Sequence, residues 1–238
     1  MIGLGTIFNM ICIVFGGTIG CLAGNRLKGH VQETIMDVTG IAIMMLGIGG
    51  TLSQMLTIEN GVISTQNTIM MMICLAVGAI IGEFLQIEEK VYLFGEWLKK
   101  KSSSSGDNQF VTAFVAASCS ACIGAMAIIG AIAEGTTGDH SILFSKGIID
   151  IFIICSMSIS LGKGCIFSAI PVGILQGTVT IIAYFAGNFM TDAALSNLSY
   201  VGHVLIFCVG LNLIREKQIR VANALPAVVI AIIWGFFL

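Results

Sequence analysis

Long apolar stretches dominate this sequence and alternate with short polar segments. A helix needs about 20 mostly apolar residues to cross a hydrocarbon core roughly 30 Å thick. Eight stretches approximate this requirement, and they cover Leu4–Gly24, Met36–Leu56, Thr68–Leu85, Phe110–Ala133, Ile142–Leu161, Cys165–Met190, Leu198–Ile214 and Val221–Leu238. The pattern predicts an all-α integral membrane protein with about eight transmembrane helices.

The amino-acid composition also indicates that most of the chain lies in a lipid bilayer. Hydrophobic residues make up 56% of the 238 residues and charged residues only 10%, whereas charged residues average about 25% in soluble domains. So few charges could not cover the apolar surface of a soluble protein of this size. The lipid bilayer is therefore the predicted main partner, and the same numbers exclude a nucleic-acid-binding protein.

The basic residues predict an orientation. Ten of the eleven Lys and Arg residues fall in alternate loops, namely Arg26, Lys28, Lys90, Lys99, Lys100, Lys101, Lys163, Arg215, Lys217 and Arg220. The opposite loops carry acidic residues but no Lys or Arg. Because cationic loops tend to stay in the cytoplasm, we predict that both termini lie outside. The alternative is seven spans and a re-entrant last segment, which would place the C-terminus inside.

The first and sixth spans resemble each other in sequence. Gly3, Gly5, Ile7 and Phe8 recur as Gly162, Gly164, Ile166 and Phe167, and Gly17-Thr18 recurs as Gly177-Thr178. The two spans cross the membrane in opposite senses, so spans one to three and six to eight are predicted to form an inverted-topology repeat around a central helical hairpin. Such repeats are typical of secondary transporters, and they also occur in channels.

One polar segment separates the two halves of the chain. Residues 87–101 place apolar residues at helical spacing, with Tyr92 and Trp97 among them, which is typical of a helix lying in the cytoplasmic membrane interface. A solvated extension of the third span is the alternative. We therefore divide a single membrane domain into a first three-helix repeat (1–86), an interfacial helix and Ser-rich linker (87–109), a central two-helix hairpin (110–161) and a second three-helix repeat (162–238).

Small residues recur at four-residue spacing within the spans. Gly16, Gly20 and Gly24 form one such row, and Gly173 and Gly177 form another. Because lipid supplies little hydrophobic drive between helices, close backbone approach through small residues must hold them together. We expect helix-packing seams inside one protomer; a homo-oligomer built on the Gly16 row is the alternative.

Two charged residues lie inside the fifth span. Lys146 and Asp150 are one helical turn apart, so they share a face and can neutralise each other. A charge near the bilayer centre costs about 2.5–3.5 kcal/mol on insertion scales. The pair is interpreted either as a structural ion pair or as part of a substrate or proton site.

Further polar residues lie in or beside the spans. Glu134 and Asp139 belong to the turn before the fifth span, where capping and solvation are expected; an outward acidic vestibule formed with Lys146 and Asp150 is the alternative. Asn9, Gln176 and Asn212 lie within spans. They are predicted either to join helices by hydrogen bonds or to line the interface between the repeats.

No cofactor or metal site is predicted. The eight cysteines all lie in or beside spans, and no disulfide framework follows from their positions. Cys119 and Cys122 share a helical face, but without a neighbouring His or a second such pair they indicate packing rather than a metal site. Nucleotide-binding glycine loops, HExxH and GxSxG sequences are absent, so no enzyme is predicted.

Several short motifs along the whole chain together resemble a known family. They include Gly5-Thr6-Ile7 with Asn9, Gly82-Glu83 with Ile87-Glu88, residues 122–130 followed by Lys146 and Asp150, Gln176-Gly177, Gly210-Leu211-Asn212 and Asn223-Ala224-Leu225-Pro226. The chain resembles the bacterial multi-pass membrane proteins catalogued as domain of unknown function 554, the YqgA/YdfK-like proteins. The resemblance implies a location in the bacterial cytoplasmic (inner) membrane and no established substrate.

These observations favour secondary transport or facilitated permeation of an unknown small solute or ion. Under this hypothesis Asp150 and Lys146 lie in the pathway, Glu134 and Asp139 lie at its outer mouth, and Asn9, Gln176 and Asn212 line the repeat interface. An oligomeric ion channel and a non-transporting structural membrane scaffold are the alternatives.

Overall fold

The computed structural model describes residues 2–59, 61–101, 109–122, 125–186, 190–215 and 219–237. Within these ranges lie ten α-helices: α1 Leu4–Gly24, α2 Gly29–Met55, α3 Thr68–Leu85, α4 Ile87–Lys101, α5 Phe110–Cys122, α6 Ala125–Thr137, α7 Ser141–Leu161, α8 Ala169–Ala186, α9 Asp192–Ile214 and α10 Pro226–Phe237. Short 3₁₀ helices cover Lys163–Ser168 and Ala222–Ala224. The predominantly helical fold predicted from the sequence is confirmed, while residues 102–108 of the predicted Ser-rich linker lie outside the described ranges.

Six helical segments of the described chain are long and apolar enough to cross a membrane. They are α1, α2, α3, α7, the segment Lys163–Phe185 and α9. The predicted fourth span is instead two helices, α5 and α6, which meet at an angle of 58° and would add a seventh crossing if counted as one. The predicted last span is a shorter apolar helix, Ala222–Phe237.

The two prolines lie where helices begin. Pro226 is the first residue of α10 and Pro171 is the third residue of α8. Proline has no backbone N–H to donate, and the first turn of a helix does not require that donor. A 3₁₀ helix precedes each of these two α-helices, so neither predicted span is one uninterrupted α-helix.

A short antiparallel hairpin, absent from the sequence-based prediction, joins α2 and α3. Strand β1 covers Leu56–Glu59 and strand β2 covers Val62–Thr65, with Leu56 opposite Thr65. Gly61 has a φ of 78°, a conformation that glycine adopts without steric cost. Strands of four residues are too short to stand out from the apolar run that precedes them.

Large apolar side chains cover much of the outer surface. Phe84, Phe185 and Phe237 are exposed by 86%, 82% and 82%. Soluble monomers rarely expose large contiguous apolar patches. Together with the apolar helices, they indicate a membrane protein.

The described helices form two compact units, and the first contains residues 1–39, 91–122 and 126–189. At its centre α1 packs along α7, with α8 and the 3₁₀ helix Lys163–Ser168 beside α1. Three glycines of α1 lie against the α7 backbone at a constant offset: Gly16 at Ile151, Gly20 at Cys155 and Gly24 at Ile159. The constant offset means that the two helices run parallel.

The second unit contains residues 40–90 and 190–238, together with residues 123–125. Here α10 packs against both α3 and α9. Gly78 of α3 lies against Ala227, and Gly40 of α2 and Gly210 of α9 each lie against the other's carbonyl oxygen. Each unit thus takes helices from both of the predicted three-helix segments.

The glycine contacts predict opposite effects for two alanine substitutions. A Cβ at Gly20 would collide with the carbonyl oxygen of Cys155, whereas no atom of the described residues lies within 4 Å of a Cβ at Gly177. Gly20→Ala should therefore destabilise the protein by about 1–3 kcal/mol, the usual cost of overpacking. Gly177→Ala should be neutral or stabilising by up to about 1 kcal/mol, because alanine favours helix.

Thermal unfolding of both variants in detergent measures this difference. Equal melting temperatures for Gly20→Ala and Gly177→Ala would contradict the close packing of α1 on α7.

Candidate functional site

A buried carboxylate lies near the end of α6, at the start of α1. Glu134 is fully buried. Its Oε1 accepts a hydrogen bond from the backbone N–H of Gly5 at 2.5 Å, and its Oε2 accepts from the hydroxyls of Thr6 at 3.1 Å and Thr180 at 3.5 Å. The Nδ1 of His140 lies 2.9 Å from Oε1. The first turn of a helix has free N–H groups and a partial positive charge, which together compensate the burial of this acid.

This arrangement corrects the expected position of Glu134. Solvation or an acidic vestibule shared with Asp139 was predicted, but the two acids have different environments. Asp139 is exposed and accepts a hydrogen bond from the backbone N–H of Ser141 at 2.9 Å. That bond lowers the pKa of Asp139 and orders the turn before α7, whose N-cap residue is His140. Glu134 instead ties α6 to α1 and α8.

His140 was not predicted as a partner of Glu134. It is partly buried, and its ring lies 5.8 Å from that of Phe144, centre to centre. A histidine six residues after an acid, across a turn that contains Gly138, was the signal available in the sequence. Nothing in that spacing indicated that the acid itself would be buried.

Lys146 and Asp150 form an ion pair inside the first unit. The two side chains project from one face of α7, and the residues are only 7% and 4% exposed. Cys12 of α1 packs beside Gly147, which lies between the two charged residues on α7. Because an unpaired buried charge is strongly destabilising, each residue requires the other in this position.

Two buried side-chain amides of the first unit lack hydrogen-bond partners among the described residues. Asn9 of α1 and Gln176 of α8 are fully buried, and neither the nitrogen nor the oxygen of either amide has a hydrogen-bond partner among the described residues. Leaving such a group unpaired costs about 1–3 kcal/mol. Their four donor and acceptor atoms are therefore the first candidates for contact with a polar ligand.

The two amides are adjacent to the other polar groups. Asn9 lies one turn after Thr6 on α1, and Gln176 lies one turn before Thr180 on α8, so each amide is one turn from a hydroxyl that binds Glu134. Asn9 also faces the Asp150 carboxylate without forming a hydrogen bond of normal geometry. We call Asn9, Gln176, Lys146, Asp150 and Glu134 the polar array of the first unit.

Two predicted site residues have other environments. The Asn212 side chain donates to the backbone oxygen of Ile219 and accepts from its N–H, both at 2.7 Å; it closes the loop after α9 in the second unit. Gly177, predicted to be in a packing seam, faces open space, whereas Gly173 packs against the Met10 side chain. Local sequence spacing does not reveal which face of a helix meets a neighbour.

A polar cluster in the second unit was also missed. Glu83 pairs with Arg220 and accepts a hydrogen bond from the Asn223 amide, whose oxygen accepts from the backbone N–H of Glu88 at 2.7 Å. Gly82 permits this approach, because a Cβ there would collide with the Asn223 carbonyl oxygen. The contacts join three of the short motifs that carry the family resemblance.

Among the described residues, no group of three or more His, Cys, Asp or Glu side chains lies close enough together to hold a metal ion. The polar array therefore offers amides, hydroxyls and one ion pair as its binding chemistry.

Comparison with known proteins confirms the resemblance. The sequence model of a family described as "Protein of unknown function (DUF554)" matches residues 4–236. The chain is 30% identical to the "Uncharacterized protein YqgA" of Escherichia coli (strain K12), over 96% of this chain and 94% of that protein. It is 25% identical to the "Uncharacterized membrane protein YdfK" of Bacillus subtilis (strain 168), over 95% of this chain and 93% of that one. No solved structure matches the chain.

Replacing Glu134 should destabilise the first unit. Glu134→Ala leaves the Gly5 N–H without its partner, and a buried donor left unpaired costs about 1–3 kcal/mol. Glu134→Gln retains an acceptor oxygen and should cost less. Thermal unfolding checks this order of stability. Asp139→Asn is the exposed control, because it keeps the side-chain oxygen that accepts from the Ser141 N–H. If Glu134→Ala melts at the same temperature as Asp139→Asn, the Glu134 network does not hold α6 to α1.

Glu88 should make stability depend on pH. Burial raises the pKa of its carboxyl, against the opposing effect of the Arg220 guanidinium. A raised pKa in the folded state means that ionised Glu88 is destabilising, and that the penalty disappears as the pH falls through the folded and then the unfolded pKa. Glu88→Gln should therefore melt above the wild type at pH 7 and match it in acid below the unfolded pKa.

Melting curves at steps of about one pH unit between pH 3.5 and 8 test this expectation. This range brackets the ordinary Glu pKa of about 4.3. The matched control is Glu89→Gln on the same helix, where the side chain is exposed. A Glu88→Gln variant that melts below the wild type at pH 7 would contradict the sign.

Proposed function

The chain belongs to the DUF554 family of proteins of unknown function, and we propose that it is a secondary transporter or facilitator of a small polar solute or ion in the bacterial cytoplasmic membrane. The observation that carries the proposal is the pair of buried amides, Asn9 and Gln176, that have no hydrogen-bond partner among the described residues. Asn9 also faces Asp150 of the Lys146–Asp150 ion pair. Polar groups inside membrane-spanning helices are costly, and they commonly mark substrate or ion pathways.

The side chains of the polar array could exchange their present contacts for contacts with a ligand. Lys146 neutralises Asp150 in the absence of another charge, and a ligand or proton that binds either residue would compete for that ion pair. Asn9 and Gln176 each provide one donor group and one acceptor that other contacts do not consume. The array thus has the means to hold a small polar solute without any covalent step or metal ion.

The packing supports an inverted repeat as the framework of this proposal. The predicted repeat pairs spans one with six, two with seven and three with eight. The corresponding helices pack together: α1 with α8, α2 with α9, and α3 with α10. The reciprocal contact of Gly40 with the Gly210 carbonyl, and of Gly210 with the Gly40 carbonyl, is what a local two-fold relation would produce. Two equivalent halves can exchange inward-open and outward-open shapes.

The proposed orientation rests on the distribution of Lys and Arg among the loops. We place both termini outside and the basic loops in the cytoplasm, with eight crossings. The parallel course of α1 and α7 supports this topology, since the first and fifth of the predicted spans must cross in the same sense. A homo-oligomer is compatible with this arrangement and is a question for solution measurements.

A ligand screen on the detergent-purified protein tests the function. A ligand that binds the folded state raises the melting temperature by mass action. We expect one class of small solute or ion to stabilise the wild type, and we expect Asp150→Asn and Gln176→Ala to lose that shift. The control is Ser145→Ala, which removes an exposed hydroxyl from α7 and should retain the full shift.

Flux into proteoliposomes then separates the mechanisms. Saturable uptake that is coupled to a gradient supports a transporter, whereas single-channel conductance without coupling indicates the oligomeric channel. If no ligand shifts the wild type and Asp150→Asn merely lowers its stability, the ion pair is structural and a membrane scaffold replaces the proposal.

A further inference from the structure

A separate polar cavity lies in the first unit, at the C-terminal ends of α1 and α7. Its volume is about 410 Å³, within the range of small-molecule sites. The start of α2 and the turn at Gly162 and Lys163 complete its wall. We call it the Lys163 cavity. It lies at the opposite ends of α1 and α7 from Glu134, so it is distinct from the polar array.

The side chains of this cavity carry a net positive charge. Its polar lining residues are amides and hydroxyls, namely Asn25, Gln32, Gln109, Ser158 and Ser160, together with the cation Lys163. Among the described residues, no Asp or Glu lines it. The formal charge of this described lining is therefore +1, which disfavours a cation and favours an anionic group.

Backbone carbonyls at the C-terminal ends of α1 and α7 would oppose an anion, and hydrogen bonds occupy some of the carbonyls around the cavity. Gln32 Nε2 donates to the Gly24 oxygen at 2.7 Å, the Gly162 N–H donates to the Ser158 oxygen at 3.0 Å, and the Ser160 hydroxyl donates to the Gln32 oxygen at 2.8 Å. Their negative ends are thus partly screened from the cavity.

One buried donor in the wall has no partner. Ser158 is 1% exposed, and its hydroxyl makes no hydrogen bond within the described part of the chain. A hydroxyl in that state has an O–H to donate to a ligand. Because Ser158 belongs to the cavity wall, its hydroxyl is a candidate donor to a ligand bound there.

A turn contributes to the same wall. Gly162 has a φ of 86°, and this turn lets the chain reverse from α7 into the six-residue 3₁₀ helix Lys163–Ser168. Lys163 directly follows the turn and is exposed at the mouth of the cavity.

We propose that the Lys163 cavity binds a phosphate or carboxylate group, with Lys163 as the counter-charge and the Ser158 hydroxyl as a buried donor. The group belongs either to a small free anion or to the head group of an anionic lipid, since both present the same oxygen chemistry. This site does not depend on transport through the polar array.

Thermal stability of the full-length protein tests the proposal, with two probes. The first is inorganic phosphate in a neutral maltoside detergent, and the second is phosphatidylglycerol added to the same micelles, with zwitterionic phosphatidylcholine as its counterpart of zero net charge. At about ten times the Kd, we expect the wild type to melt about 3–6 °C higher with the effective probe. Lys163→Gln and Ser158→Ala should each lose most of this shift.

The matched control is Lys100→Gln, which removes an exposed cation from α4 and should keep the full shift. A shift with phosphate alone identifies a free-anion site, and a shift with phosphatidylglycerol alone identifies a lipid head-group site. A shift that is absent from the wild type, or that survives unchanged in both Lys163→Gln and Ser158→Ala, overturns the proposal. The polar-array screen uses other variants, so failure here leaves the proposed function standing.

Discussion

Close contact between the backbones of α1 and α7 is the constraint on which the rest of the first unit depends. Lipid gives helices little hydrophobic reason to associate, so the attraction comes from close packing and polar contacts. Gly16, Gly20 and Gly24 let α1 lie directly against the α7 backbone. This fixed, parallel register brings Asn9 of α1 close to Asp150 of α7, where a looser contact would leave the ion pair to lipid.

The packing of α1 and α7 also bears on the burial of Glu134 near the start of this helix pair. Glu134 approaches the first turn of α1, where the Gly5 N–H has no acceptor within the helix. Side chains at this position are restricted, because a Cβ at Gly5 would meet Leu143 and the Glu134 carboxylate itself. Glycine therefore has two roles in this unit. It lets α1 and α7 pack closely, and at Gly5 it leaves a backbone donor accessible to a buried acid.

The polar array and the Lys163 cavity lie toward opposite ends of this helix pair. Ile154 is fully buried and lies on the α7 face between Asp150 and Ser158. An apolar side chain there separates the two polar regions in this conformation.

Elements that depend on local spacing were readable from the sequence. The apolar runs predicted α1 and α3 with the ends that the structure has, and the four-residue spacing of Lys146 and Asp150 predicted their ion pair. The hairpin between α2 and α3 and the 58° bend between α5 and α6 were not predicted, because hydropathy averages over windows longer than either feature.

The sequence by itself thus indicated the membrane environment, most of the long apolar helices and the family, since these rest on composition, on hydropathy along the chain and on short motifs. Only the tertiary structure decided that Glu134 is buried with His140, that Asn212 closes a loop and that Gly177 faces open space. Those outcomes depend on which residues distant in sequence become neighbours. Helix periodicity specifies a residue's own face, but the partner of that face is set by the packing of the whole unit.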